Sequence, residues 1–414
     1  MPMGAVRAVV SLARLAVGRA RGAVARRAFE REQALRPAVL AGTFRVAVHF
    51  PDAPVNLYQL RQWYSPLQAL HARLPVVLLV RQGTTARTVA AESGLPVRLA
   101  RSVAQVEELL TDHPVRVVLY VNQNVRNFSV LRYRDPAHVF VSHGESDKDY
   151  MASNQAKAYD RVLVAGDAAR VRLAALAEYD VAARTVPIGR PQVDAPPPGP
   201  GLAPTTRRTV LYAPTWEGDR PSMAYGSLAS HGPALLDALL ADPTVRVVVR
   251  PHPRSGTSDP ATRTALRQLR RRVRSAARRD PGAGHLWDTR TSFGWHLAAC
   301  DACVTDISAV AYDWLATGKP LVLTRPAAPE AIVDPAGLPG ALPLLAAADA
   351  HLVLGRLADA AAPQAAAVRA RLVAHHYGDM APGASLTRFL DAVTALVAQR
   401  DERAAALGSG DGPA

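Results

Sequence analysis

His143 sits in the run Ser142-His143-Gly144-Glu145-Ser146-Asp147-Lys148, directly after the apolar stretch Ala137-His138-Val139-Phe140-Val141. An imidazole at the end of a strand, followed by glycine, can face a cleft and take a proton from a hydroxyl near neutral pH. Arg250-Pro251-His252-Pro253 follows a second apolar run, and its two prolines fix a loop that presents a guanidinium beside an imidazole. That pairing suits a diphosphate better than a protein core. Thr305-Asp306-Ile307-Ser308-Ala309-Val310 reads as a strand entering a helix near Ser308. Amides and a hydroxyl at a helix start make an anion site, yet Asp and Ser are also preferred caps, so both readings stand. Gly189-Arg190-Pro191 with Asp194, and Tyr212-Ala213-Pro214-Thr215-Trp216-Glu217, end two further apolar runs. Taken alone, each is a rigid turn.

The elements that must position these groups are short β-branched runs: residues 44–50, 75–80, 96–100, 115–122, 137–144, 160–166 and 184–189. Segments of helical length separate most of them, for example 57–74 and 102–111. Strands alternating with helices imply right-handed crossovers and parallel sheets covered on both faces. After a Pro/Gly-rich break at 194–208 the pattern resumes, with strands at 209–214, 245–252, 285–288, 301–306 and 320–324. Its helices fall at 232–240, 261–279 and 310–317, and a last helix at 384–399 closes the chain. The expected organisation is a basic amphipathic helical arm (1–40), an N-terminal domain (41–193), a linker (194–208), a C-terminal domain (209–380), a closing helix (381–400) and a flexible tail (401–414). The fold class is α/β: two doubly wound, Rossmann-like parallel-sheet domains facing a cleft, where ligands gather at the carboxyl ends of strands.

A length of 414 residues suits two domains, and 49% hydrophobic against 20% charged residues excludes a disordered chain. Of the 49 basic residues only Lys148, Lys157 and Lys319 are lysines. Residues 1–40 carry eight arginines against Glu30 and Glu32, and eight more lie between Arg263 and Arg279. Such patches attract nucleic acid, anionic lipid or an anionic polymer. The N-terminal helix therefore reads either as an arm on an anionic membrane surface or as a solvated helix on the protein body. No apolar run reaches the ~20 residues of a membrane span, and Arg7, Arg14 and Arg19 interrupt any secretion signal.

Some matches carry little weight. Cys300 and Cys303 form a lone C-x-x-C on a buried-looking strand. Asp147-Lys148-Asp149 is a weak acid-x-acid triplet, and His375-His376 reads as a surface pair at a helix end. There is no G-x-x-x-x-G-K-[ST], no G-x-G-x-x-G after a strand and no G-x-S-x-G.

The order of HGESDK (143–148), GRPQVD (189–194), LYAPTWE (211–217), RPHP (250–253), TDISAVAYDWLATGKPLV (305–322) and HYGDMAPGAS (376–385) resembles the CDP-glycerol glycerophosphotransferase family of teichoic acid-type polymer synthesis, from about residue 45 to 400. The resemblance implies a GT-B-like enzyme with an N-terminal acceptor-side domain (41–193) and a C-terminal CDP-donor domain (209–380). His143 would be the general base and His252 a second catalytic histidine near the donor phosphates, with Arg250, Ser308, Asp306, Thr215 and Arg190 on the donor side. Glu145, Asp147 and Lys148 fall on the acceptor side. Two departures from the commoner family pattern stand out: Glu-Ser-Asp after His143-Gly144, and Ala309 where a second hydroxyl is frequent.

The expected reaction moves a polyol phosphate, glycerol phosphate first among the options, from a CDP-alcohol to a hydroxyl of a lipid-linked or surface polymer, releasing CMP. No metal and no cofactor is expected. The partners are the donor, an anionic acceptor and the inner face of a plasma membrane, without nucleic acid. The rival readings are a nucleotide-sugar glycosyltransferase on the same fold and a nucleic-acid-binding protein. The second lacks the aromatic residues between arginines that such binding uses.

Overall fold

The computed structural model describes residues 3–35, 40–145 and 153–408, with side chains from residue 16 onward. The first seven strands are β1 Val46–Phe50, β2 Val76–Val80, β3 Val97–Leu99, β4 Val117–Tyr120, β5 Ala137–Phe140, β6 Arg161–Val164 and β7 Thr185–Pro187. They form one parallel sheet in the order β3-β2-β1-β4-β5-β6-β7. The next six are β8 Arg208–Ala213, β9 Val245–Val249, β10 Leu286–Trp287, β11 Ala302–Thr305, β12 Leu321–Thr324 and β13 Leu344–Leu345. They form a second parallel sheet in the order β10-β9-β8-β11-β12-β13. Each order reverses once, between β1 and β4 and between β8 and β11, and these are the points where a crevice opens beyond the strand ends.

The strands read as continuous apolar runs because helices cover both faces. Val46, Val48 and Phe50 of β1 point into one core while Ala47 points into the other. In the second domain Val210 and Tyr212 of β8 face one core and Leu211 and Ala213 the opposite one.

Three boundaries differ from expectation. The long helix expected at 57–74 is split into Leu57–Arg61 and Tyr64–His71, which places the Trp63 indole under the His143 loop. The closing helix runs Ala384–Gly408, so residues 401–408 are helical and not tail. It returns to the first domain: Phe389, Val393 and Val397 enter that core, and Asp401 pairs with Arg45 and with Arg116 at 2.8 Å. Between the short helix Pro191–Asp194 and β8 the expected linker narrows to residues 195–207, which are irregular but packed, with Gly199 against the Trp295 ring and Pro197 against Gly294.

The arm is a helix, Met3–Ala34, whose basic and apolar residues share its faces, so it is not amphipathic along its length. Ala25 and Phe29 bury against the body, and the Arg26 backbone packs so closely on Gly83 that any side chain there would collide. Further toward the N-terminus, Val17 and Val24 are exposed. Among the described residues no helix is long and apolar enough to cross a membrane.

Candidate active site

His143 is held by strain and by a hydrogen bond on either side of it. Ser142, at the end of the β5 run, takes φ 57, a left-handed value that a non-glycine residue adopts only under constraint. The constraint is visible: Trp63 Nε1 donates to the Ser142 carbonyl at 2.6 Å, and Ser142 Oγ donates to the Gly144 carbonyl at 3.0 Å. The imidazole bonds to the backbone of Val121, and its Nδ1 is buried with no partner. The bond is thus through Nε2, and Nδ1 keeps a free lone pair. Burial, and then the nearby Arg190 guanidinium, push this imidazole down to about 4, so it is neutral at physiological pH.

Gly144 faces the other domain. A methyl group added there would lie 3.7 Å from the Ala309 side chain, so the His143 loop abuts the start of the helix Ala309–Leu315. Ser308 precedes that helix, but its hydroxyl makes no capping bond; Oγ is buried and unpartnered. Of the two readings of Ser308, plain side-chain capping is the one the geometry does not support.

Arg190 fastens the two domains together. Its guanidinium pairs with Asp313 at 2.7 Å, both side chains nearly fully buried, while Nη2 donates to Gln62 at 2.8 Å and to the His143 carbonyl at 3.1 Å. The expectation of a donor-phosphate arginine is corrected: its charge is spent on Asp313, and its place is behind the His143 loop. Asp306 is likewise a scaffold group. It is fully buried, and accepts from the Thr215 amide at 2.7 Å, the Ser227 amide at 3.1 Å and the Thr324 hydroxyl at 2.7 Å. Burial raises its pKa to about 6 despite those bonds. Through it the strand ends of β8, β11 and β12 are tied, and Thr215 is fixed by its backbone.

Arg250 and His252 lie in the second domain, flanking a pocket of about 310 Å³ that Arg267, Arg270 and Trp287 also line. Arg250 is partly screened by Asp288 at 3.2 Å. Burial raises the Asp288 carboxyl, but bonds from His296, Thr291 and the Arg290 amide outweigh it and hold the group well below the usual range. The His252 ring stacks on Trp216 at 6.4 Å and its Nδ1 accepts from the Arg254 amide at 3.1 Å, so a neutral His252 carries its proton on Nε2. Arg254 covers the other part of this platform, 3.6 Å from the Trp216 ring centre. Glu217 accepts from the amides of Gly256, Ser258 and Asp259 at 2.8–3.1 Å and pins the loop that carries them.

Glu145, expected to face the acceptor, is instead buried in an ion pair with Arg172. Asp147 and Lys148 lie outside the described residues, as does the triplet they form with Asp149. His376 is not on the surface: it is buried, 5.7 Å from the Tyr312 ring, while His375 is exposed. Cys300 and Cys303 are buried thiols, and burial pushes Cys300 up to about 12 and Cys303 well above its ordinary value.

Two features were absent from the sequence reading. Asp52, beyond β1, binds the side-chain amides of Asn122 and of Asn124 (2.8 Å) beyond β4, knitting the switch point of the first sheet. The run Val121-Asn122-Gln123-Asn124 after a strand was the available signal. Asp194 accepts from the amides of Gly383 at 3.0 Å and Leu386 at 2.8 Å, capping the closing helix, while Ser385 Oγ donates to the Ile188 carbonyl at 2.7 Å. Gly189, at φ 71, is needed there because a side chain would strike Ser385 and Arg388.

Two doubly wound parallel-sheet domains that meet where the His143 loop abuts the helix after Ser308 give a GT-B-like fold. Residues 201–328, spanning β8 to β12, match the model of the CDP-glycerol:poly(glycerophosphate) glycerophosphotransferase family. The family resemblance read from the sequence is thereby borne out, and the chain is an enzyme of the glycerophosphotransferase type. The fold matches the wall teichoic acid polymerase TagF (TM-score 0.55, 10% identity, 87% of this chain and 90% of that one). A TagF variant soaked with CDPG matches equally (TM-score 0.56, 12% identity, 88% and 90%). A UDP-N-acetylglucosamine 2-epimerase from Listeria monocytogenes shares the fold (TM-score 0.50, 15% identity, 85% and 96%). A comparison with curated proteins gives no match.

Proposed function

We propose that the protein transfers glycerol phosphate from CDP-glycerol to a hydroxyl of a polymeric or lipid-linked acceptor. The observation that carries this reading is the pair of buried, unpartnered groups where the domains meet: His143 Nδ1 on the acceptor side and Ser308 Oγ on the donor side. His143 takes the hydroxyl proton as the oxygen bonds to the phosphorus that carries glycerol. The bond from that phosphorus to the bridging oxygen breaks, and CMP leaves with the electron pair. Ser308, the amides behind it and the Nε2–H of His252 meet the charge that collects on the phosphoryl oxygens and the leaving group. Arg250 adds cationic character that Asp288 orients. Positioning and charge stabilisation suffice for such a transfer, so the reaction is written without a metal or organic cofactor.

The arginines of the arm suit the acceptor's location, since an enzyme acting on a lipid-linked chain must meet it at the inner face of the plasma membrane. The test is release of CMP from CDP-glycerol and CDP-ribitol against release of UDP or CDP from UDP- or CDP-sugars, each with glycerol 3-phosphate as a soluble acceptor. CDP-glycerol is expected to be the best donor; preferential turnover of a nucleotide sugar would replace this reading with glycosyl transfer.

A further inference from the structure

Gln192 is 4% exposed, yet neither Nε2 nor Oε1 of its amide has a hydrogen-bond partner. An amide buried and unmatched on both sides is costly, about 1–3 kcal/mol per group, and calls for a ligand. Beside it the Nε of Arg190 is also buried and unpartnered. Both residues line a cavity of about 60 Å³ whose wall also includes Ser142, Gly144 and Tyr159. At roughly 15 Å³ per water position this holds about four water-sized groups, a volume suited to a three-carbon polyol. The cavity shares Gly144 with the cleft, so it lies immediately behind the His143 loop on the acceptor's domain.

We infer that Gln192, with Arg190 Nε, forms a subsite for the terminal 1,2-diol of the acceptor. This rests on the reading under Proposed function and extends it to the acceptor's chemistry. A carboxamide sets an acceptor beside a donor, which matches two adjacent hydroxyls, one giving and one receiving a hydrogen bond. The receiving hydroxyl then keeps its own proton to point at His143 Nδ1, and its neighbour gives its proton to Gln192 Oε1 while Arg190 Nε donates to its oxygen. The diol is thus held by the hydroxyl that does not react, and an acceptor without it leaves the amide unmatched. Gln192 is a specificity-determining residue in this arrangement.

The test compares glycerol 3-phosphate with 3-hydroxypropyl phosphate, which keeps the primary hydroxyl and lacks its neighbour. With CDP-glycerol as donor, the parent enzyme should favour the diol by at least tenfold in kcat/KM. Gln192→Met, which keeps the volume and removes the amide, should bring that ratio near one by slowing only the diol. Calorimetric affinity for CDP-glycerol and the melting temperature should be unchanged or, for the latter, raised. If Gln192→Met keeps the preference, or the parent has none, the subsite is overturned and the amide is merely hydrated. Should no CDP-alcohol be turned over at all, the reading under Proposed function falls alone. NMR line broadening of glycerol 3-phosphate by the parent, lost in Gln192→Met, would still support the subsite, and its absence in the parent would overturn it.

Discussion

Replacing Arg190 by Met would remove one partner of an ion pair that joins the two domains. Arg190 and Asp313 are 2.7 Å apart with side-chain exposures of 6% and 5%. Stripping one charge from so buried a pair leaves the other uncompensated and costs about 3–5 kcal/mol. Burial already raises the Asp313 carboxyl, and the guanidinium is what opposes this, so without it Asp313 would take up a proton more readily. The same substitution deletes the bond from Nη2 to the His143 carbonyl at 3.1 Å. A loop displaced by about 1 Å can lose roughly 100-fold in turnover. We therefore expect Arg190→Met to lower the urea midpoint followed by tryptophan emission, with Trp314 adjoining Asp313 in the buried helix as the reporter. It should cut kcat by about 10- to 100-fold with little change in donor affinity. Arg190→Met combined with Asp313→Leu should regain most of the stability, because no charge is left buried, while turnover stays low. A single variant whose midpoint and kcat stay within twofold of the parent would refute the assignment.

His143→Ala should lower turnover by about 100-fold or more and leave calorimetric donor affinity nearly intact. Because burial and Arg190 depress His143 to about 4, the acid limb of kcat/KM should lie well below pH 6.5, and Arg190→Met should move it upward. The sign for stability is the same: His143 and His49, both lowered to about 4, contribute stability that is complete above pH 6.5 and is lost as pH falls toward 4. His49→Phe should flatten that acid limb in urea titrations at several pH values. Ser308→Ala should weaken CDP-donor binding by calorimetry more than it changes the acceptor KM, and an unchanged nucleotide affinity would remove Ser308 from the site. Deleting residues 2–24, which leaves the buried Ala25 and Phe29 in place, should release the protein from anionic vesicles in a salt-sensitive manner, at about 1 kcal/mol per arginine near the surface, with activity on glycerol 3-phosphate retained. A truncated protein that still sediments would move the anchor to the arginine face at 263–279.

Strand positions were legible because each strand is buried on both faces and reads as an unbroken aliphatic run, as in Val76–Val80. The short β13, Leu344–Leu345, and the helices Val353–Ala361 and Pro363–Tyr377 were not assigned, since Ala-rich segments carry little periodic contrast. His143, Arg250, His252 and Ser308 were legible as polar groups at strand ends. What one chain position cannot reveal is its partner across the cleft. The resemblance places Arg190 and Asp306 on the donor side, and nothing nearby in sequence discloses Asp313, the counter-charge of Arg190, or Thr215, Ser227 and Thr324, which reach Asp306 from elsewhere in the chain. Gln192 went unnoticed for the converse reason: a buried amide becomes conspicuous only when the surrounding atoms show that nothing satisfies it.

That contrast separates the working groups from the scaffold. Asp194, Asp306 and Glu217 are bound by amides or hydroxyls and hold a loop or a helix end in place. His143 Nδ1, Arg190 Nε, both atoms of the Gln192 amide and Ser308 Oγ are buried without partners in the segments that end β5, β7 and β11. Burial without a partner does not mark a site by itself, since Arg26 Nε, Gln33 Nε2, Ser153 Oγ and Tyr179 OH share it away from the strand ends. What sets the five atoms of His143, Arg190, Gln192 and Ser308 apart is their place just beyond strand ends where the domains meet, which is where a doubly wound fold holds its ligand and where the proposed site for a hydroxylated, phosphorylated substrate lies. Its donors and acceptors must be fixed in advance and left unsatisfied until the substrate arrives.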